Sequence, residues 1–230
     1  MKIHTINKAE KYRIKNNFKA IDYAKATTVL NGIKNEFRIY ELEYSDRVFL
    51  DTMSGNINLE KILPEKKTYN RKQLKTWKNI IDNAIMMSAF SYPERAFLIT
   101  KDNRPCGIMS YQNSLNGKMY LDNIAVWPHK KGECQKLAGQ TLMKILFLDA
   151  LENNIKNIGL SLANDFSEQS KKFYEKLKFR SLFNSNTDID MISSSLNYKA
   201  SLEESKDLIR IEKKATAKHQ DLNKLLDIKY

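Results

Sequence analysis

The chain has 230 residues, 42% of them apolar and 29% charged, and a formal net charge of +12. Its many aromatic and branched side chains support one sizeable core with appendages and exclude a chain disordered throughout. With seven Gly, four Pro and no internal repeat, collagen-like tracts, flexible linkers and solenoids are excluded as well.

Cys106 and Cys134 stand in no metal-type spacing, and His4, His129 and His219 are the only histidines. Two reduced thiols, no metal and a cytoplasmic location are the expectation. The N-terminus "MKIHTINKAEKYRIK" lacks the apolar core of a secretory signal. The apolar run "LMKILFLDAL" is too short and too charged to span a bilayer, so no membrane association is expected. The positive excess falls mainly on residues 1–40, with a smaller share in residues 101–200. Such a surface attracts nucleic acid, an acidic protein or a polyanionic cofactor; solvated Lys tips on an ordinary surface are the alternative.

Taken in chain order, Ile14, Phe18 and Ile21 recur at helical spacing before Asn31–Gly32, predicting a helix over 12–34 outside the main core. "FRIYELEYSDRVFL" (37–50) predicts a strand. "NRKQLKTWKNIIDNAIMMSAF" places Leu74, Trp77, Ile81, Ala84, Ile85 and Ser88 on one helical face, with Lys72, Lys75 and Lys78 on the wet side. The turn signals "KDNRP" and "SLNG" then divide three strands, 95–100, 106–112 and 118–127, into an antiparallel meander. Pro128 closes the third strand, and "HKKGEC" forms a polar loop. Residues 135–154 predict a helix apolar nearly all round, hence buried. A strand (155–163), a short helix, a closing hairpin ("FRSLFNS" and "DIDMISSSL") and a helical tail over 201–230, with Leu222, Leu225 and Leu226 in phase, complete the chain. This order predicts an α+β fold with a mixed, mostly antiparallel central sheet flanked by helices, not a doubly wound sheet.

Three of these elements, in this order, resemble the Gcn5-related N-acetyltransferase (GNAT) family. A strand ends in "IAVWP" (124–128). A basic, glycine-containing loop runs into the buried helix of "KKGECQKLAGQTLMKIL". After the next strand comes "SEQSKKFYEKLKF", similar to the family's tyrosine-bearing helix. The resemblance covers residues 37–198, leaving 1–36 as a basic helical extension and 199–230 as a helical tail. It implies a GNAT-like acyl-CoA fold, acetyl-CoA as acyl donor and an acceptor amine. The acceptor stays open among small amines, protein lysines or N-termini, and aminoacyl-tRNA. The two extra segments suggest specialisation such as self-association into a homodimer or partner binding.

The physical logic agrees with the family pattern. A loop turning successive N–H groups to one point at a helix N-terminus is an anion site, and glycine permits close approach. The resemblance assigns Lys131, Gly132, Gln135, Lys136, Ala138, Gly139 and Gln140 to the phosphates of CoA. Two registers are open for this loop, because Cys134 replaces a family glycine if Pro128 is the anchor, and about three residues are inserted if Gly139 is. In the family the strand here splays from its neighbour. Ile124, Ala125 and Val126 would then offer backbone groups to the pantetheine arm, with Asn164, Ser170 and Phe173 lining its path. The resemblance makes Tyr174 the general acid for the leaving thiolate, with Phe173 in the core and Tyr174 at the helix edge. An ordinary Tyr with a solvated hydroxyl is the alternative. Asp165 and Glu168 have capping-box spacing. Where the family commonly has glycine before the final aromatic, this chain has Lys178, so the helix end is expected to differ. Asp122 is the only acid on "KMYLDNIAV" and the candidate base; strand alternation puts it on the face of Ile124 and Val126. Glu133 is a solvated loop charge and His129 has no role. The rival readings are a non-catalytic acyl-CoA-binding or regulatory protein on the same fold, and a basic nucleic-acid-binding module.

Overall fold

Asn31–Gly32 is a hairpin turn and not the end of a helix. Both residues are left-handed (φ 52° and 75°), as a two-residue turn between twisted strands requires. They join β1 (Lys19–Leu30) to β2 (Ile33–Glu41), with Leu30 opposite Ile33. This corrects the helix expected over 12–34, of which residues 12–18 lie outside the described part. Ala20, Asp22, Ala24, Ala26 and Thr28 are the buried members of β1. They alternate, but small and polar residues carry little hydropathy signal, so the period of two is hidden.

The computed structural model describes residues 19–43, 51, 54–55, 70–87, 94–114, 116–127, 137–163, 165, 167–182, 190–216 and 218–222. Helix α1 (Arg71–Met87) starts on a reciprocal cap, with Gln73 N–H donating to Asn70 Oδ1 (2.9 Å) and Asn70 N–H to Gln73 Oε1 (3.0 Å). It buries the predicted Leu74, Trp77, Ile81, Ala84 and Ile85; Ser88 lies outside the described residues. The meander follows as β3 (Glu94–Lys101), β4 (Arg104–Ser114) and β5 (Lys118–Val126), with tight turns at Asp102–Asn103 and Gly117. Next come α2 (Ala138–Glu152), β6 (Asn157–Ser161), α3 (Ser167–Lys176), β7 (Arg180–Ser181), β8 (Asp190–Ser194), α4 (Ser195–Glu204), β9 (Ile209–Lys213) and β10 (His219–Asp221).

The ten described strands form one sheet in the order β10-β1-β2-β3-β4-β5-β6-β8-β7, with β9 also paired to β1. Among the described residues, β5–β6 is its only parallel pairing. The mixed, mostly antiparallel α+β expectation is met. Both segments set apart in the sequence as extensions contribute strands to this sheet. The helical tail expected over 201–230 is corrected: the helix ends at Glu204, and "IRIEK" has the two-residue period of an edge strand. Leu222 is buried; Leu225 and Leu226 lie outside the described residues.

One core fills the sheet face under α2, α3 and α4, around Leu142, Leu146, Phe147, Tyr174 and Tyr198. The other face is closed by α1 through Trp77, Ile81 and Ile85. Inside the first core, Asp149 of α2 accepts hydrogen bonds from Arg95 and from Tyr111 Oη (2.7 Å). Arg95 also donates to Glu41 (2.7 Å) and lies over the Phe97 ring. A carboxylate 3% exposed is tolerated there because it is paired and hydrogen-bonded. Cys106 is buried and free. None of the described helices is long and apolar enough to cross a membrane.

Candidate active site

β5 and β6 run side by side only from Lys118↔Asn157 to Leu121↔Leu160. β5 continues to Val126, still paired to β4 (Gly107↔Val126), while β6 stops at Ser161. The two strands therefore part company beyond Leu121. Trp127 N–H donates to Cys106 C=O (3.0 Å) across β4. By antiparallel alternation Ala125 also turns its backbone groups to β4, while those of Ile124 and Val126 point into the gap. Of the three expected backbone contributors, two face the gap; Ala125 instead packs its methyl group in the α1-side core.

A bulge sharpens the parting. The β4–β5 register slips between Ser110↔Asn123 and Tyr111↔Leu121, leaving Asp122 as the extra residue. Its effect is to exchange faces along β5. Leu121 packs in the α2-side core; beyond the bulge Ile124 and Val126 pack against that core, and Ala125 and Trp127 face α1. Asp122 accepts a hydrogen bond from Gln112 Nε2 (2.9 Å), and Asn123 donates to Ser110 Oγ (3.0 Å). Gln112 and Ser110 flank the inward-facing Tyr111 on β4, so Asp122 lies on the face opposite to Ile124 and Val126. This corrects simple alternation, which a bulge breaks. Asp122 Oδ2 is buried without a partner. Burial pushes its carboxyl above the usual range; the Gln112 hydrogen bond opposes this and the Glu94 charge adds to it.

A cavity of about 350 Å³ occupies the gap. Its walls include Asp122, Ile124, Val126, Gly139, Phe173 and Tyr174, and Ala125 and Ser170 also reach it. Gly139, the second residue of α2, is there for space. A Cβ on it would stand 3.3 Å from Val126 Cγ2 and 3.6 Å from Phe173 Cζ. The helix begins at Leu137, held left-handed (φ 73°), with no side-chain cap and no acid in the first turn. Among the described residues no side-chain acceptor caps its leading N–H groups, on Ala138, Gly139 and Gln140, and such a helix start is the arrangement that receives an anion. Ala138 is fully buried and Gln140 partly so; neither lines the cavity. Lys131, Gly132, Gln135, Lys136 and Asn164, with His129, Glu133 and Cys134, lie outside the described residues.

On α3 the burial of the aromatic pair is the reverse of the expectation. Tyr174 is in the core at 7% exposure, and Phe173 is the partly buried ring packed against it (centroids 5.1 Å apart). Both reach the cavity. Burial among Phe173, Phe179 and aliphatic groups pushes the Tyr174 phenol well above its ordinary value, so it stays protonated. The end of α3 also differs from the expectation. Lys178 adopts the left-handed conformation (φ 66°) usually given to glycine, and Phe179 N–H reaches back to Tyr174 C=O (3.0 Å). The turn is kept and its glycine is not. Asp165 points to α1, bonded to Thr76 and, at 2.8 Å, to Lys72. The Lys72 and Thr76 bonds hold its carboxyl below the ordinary range.

Sequence reasoning missed the α1 wall. Trp77 and Ile80 line the cavity, and Trp77 Nε1 donates to Val126 C=O (2.9 Å). The available signal was the indole N–H, a polar handle on an apolar face that needs a partner when buried. Ser161 and Leu162 also line the cavity; nothing in "IGLSLA" distinguished them. Among the described residues no group of His, Cys, Asp or Glu is gathered as a metal site would need.

No family model and no curated protein sequence matches the chain. Solved structures do. The PaiA N-acetyltransferase of Thermoplasma acidophilum, determined in complex with coenzyme A, is 17% identical. That match covers 69% of this chain and 98% of that one, with a TM-score of 0.50. FdhC, described as a nucleotide-linked sugar GNAT and determined in its apo form, is 14% identical, covering 81% and 97%, with a TM-score of 0.52. At such identities the likeness is one of architecture. The chain has the fold of the Gcn5-related N-acetyltransferases.

Proposed function

We propose that the chain is an acetyl-CoA-dependent N-acetyltransferase acting on a primary amine by direct attack. The observation that carries this reading is the parting of β5 from β6 beyond Leu121, which leaves a cavity lined by the buried Tyr174. An extended pantetheine arm has amides to pair with the outward groups of Ile124 and Val126, as an added strand does. The CoA diphosphate belongs at the uncapped start of α2, at the N–H groups of Ala138, Gly139 and Gln140. Lys131, Gly132, Gln135 and Lys136 precede it, and their charges and backbone suit the same anion. Ser170 and Phe173 flank the arm, with Asn164 close in sequence.

Chemistry follows from these placements. The amine nitrogen attacks the thioester carbonyl carbon, and the Ile124 N–H supports the charge developing on oxygen. The C–S bond breaks, sulfur takes the electron pair, and Tyr174 Oη returns a proton to it. A raised phenol pKa does not prevent this, because the same apolar surroundings raise that of the thiol. Asp122, whose raised pKa makes it a better base than a surface carboxylate, accepts the proton lost by the amine. Positioning both reactants in one slot supplies much of the rate.

The test is CoA binding by calorimetry, then thiol release from acetyl-CoA with a panel of amines, peptides and charged tRNA. Tyr174→Phe is expected to keep CoA affinity and lose about 100-fold in kcat, the usual size of a general-acid contribution. Binding of CoA without turnover of any acceptor would leave an acyl-CoA-binding protein on this fold.

A further inference from the structure

Helix α1 touches both lips of the gap. Trp77 Nε1 holds the carbonyl of Val126, on the β5 side (2.9 Å). One residue away Thr76 bonds the Asp165 carboxylate, Lys72 pairs with the same carboxylate (2.8 Å), and Gln73 Nε2 donates to Asp165 C=O (3.1 Å). Gln73 is itself fixed by the reciprocal cap with Asn70. Asp165 stands two residues before α3, which carries Ser170, Phe173 and Tyr174. No ladder hydrogen bond joins β5 to β6 past Leu121, so the sheet does not set the distance between Val126 and the tyrosine helix. A turn and a half of α1 spans it from one face of the sheet, while Gly139 of α2 approaches both Val126 and Phe173 from the other. Trp77 also meets Trp127 edge-on at 5.8 Å, which fixes the indole that makes the bond.

We infer that α1 is the clamp that sets the width of the acyl-donor slot, with Trp77 and the Thr76–Asp165–Lys72 cluster as its two positioning contacts. The inference rests on the reading of the gap as the CoA site. It goes beyond that reading by naming residues, on a helix outside the family-like motifs, through which donor affinity is controlled. Trp77 has a second consequence: it occupies the Val126 carbonyl, so an incoming arm finds the Val126 N–H and the Ile124 carbonyl as its partners.

The two tryptophans of the chain, Trp77 and Trp127, both stand at this clamp, so intrinsic fluorescence reports on it directly. The experiment measures CoA affinity by calorimetry and by tryptophan fluorescence for wild type, Trp77→Phe, Asp165→Asn and the double variant, each with a melting curve. Trp77→Phe keeps an aromatic ring against Trp127 and removes only the donor. It is expected to weaken CoA about tenfold, the size of one lost hydrogen bond. Asp165→Asn is expected to weaken it severalfold. If α1 holds both walls as one body, the double variant loses no more than the worse single variant. Full multiplication of the two losses, or unchanged affinity in variants that melt as wild type does, overturns the clamp. Should Trp77→Phe melt below the assay temperature, Thr76→Val on the half-buried rim repeats the test: a severalfold loss supports the clamp and none overturns it. Failure of the wild type to bind CoA is a separate result, which removes the site reading and the clamp with it.

Discussion

Asp122→Asn should move stability and activity in opposite directions. One carboxylate oxygen accepts from Gln112 Nε2 at 2.9 Å, and the other is buried with no partner. Asn keeps the acceptor for Gln112, keeps the volume, and removes the charge. Leaving a buried polar atom unsatisfied costs about 1–3 kcal/mol, more when it is charged. Exchanging an orphaned charged oxygen for an orphaned neutral amide should recover about 1 kcal/mol, a rise in Tm of about 3 °C for a chain of this length. The sign follows from linkage. The folded carboxyl has the higher pKa, so the folded state binds the proton more tightly and wild-type stability falls as pH rises through that value. The stabilisation by Asn is therefore full at pH 8 and fades as pH approaches the free-carboxyl value of about 4, where the wild-type group is neutral too. Thermal unfolding at a series of pH values reads this. Turnover should fall about 100-fold at pH 7 from loss of the base. A variant that melts lower than wild type at pH 8, or one with the same stability difference at every pH, would refute the account of Asp122 as a strained, functional carboxylate.

Three further outcomes follow from named contacts. Arg95→Met leaves Asp149 buried with Tyr111 as its remaining partner among those above, and should cost about 3 kcal/mol in chemical denaturation. Gly107→Ala puts a methyl 2.8 Å from Ile99 Cγ2 and 3.0 Å from Leu142 Cδ1. It should destabilise by about 2 kcal/mol, an overpacking cost, and weaken CoA by pushing α2 off β5. Lys178→Gly releases a left-handed non-glycine residue and should raise stability by about 0.5–1 kcal/mol with activity unchanged. Its exposed pair with Glu204 offsets little of that.

Legibility in the sequence tracked how local each signal was. The face of α1, the meander with its two tight turns, and the buried run of α2 follow from periodicity and turn chemistry within a few residues, and they carry most of the architecture. β1 does not read as a strand because its buried positions are Ala, Asp and Thr, and the Asn–Gly dipeptide after it suits a helix stop as well as the hairpin turn that it is. β9 and β10 are hidden for a different reason: each is short and pairs with β1, some 180 to 200 residues away in the chain. Tyr174, Asp122, Gly139, Ile124 and Val126 were all nominated from residue types and order, and they do converge on one cavity.

Their disposition was a different matter. The bulge at Asp122 reverses which face each β5 side chain takes, and it arises from the mismatch of two strands rather than from any residue in one of them. The exchange of burial between Phe173 and Tyr174, and the reach of Trp77 to Val126, likewise depend on where α3 and α1 come to rest against β5. Residue chemistry and short-range periodicity name the groups that can do the work. Whether two of them face each other is settled by packing between segments distant in the chain, to which no local pattern is sensitive.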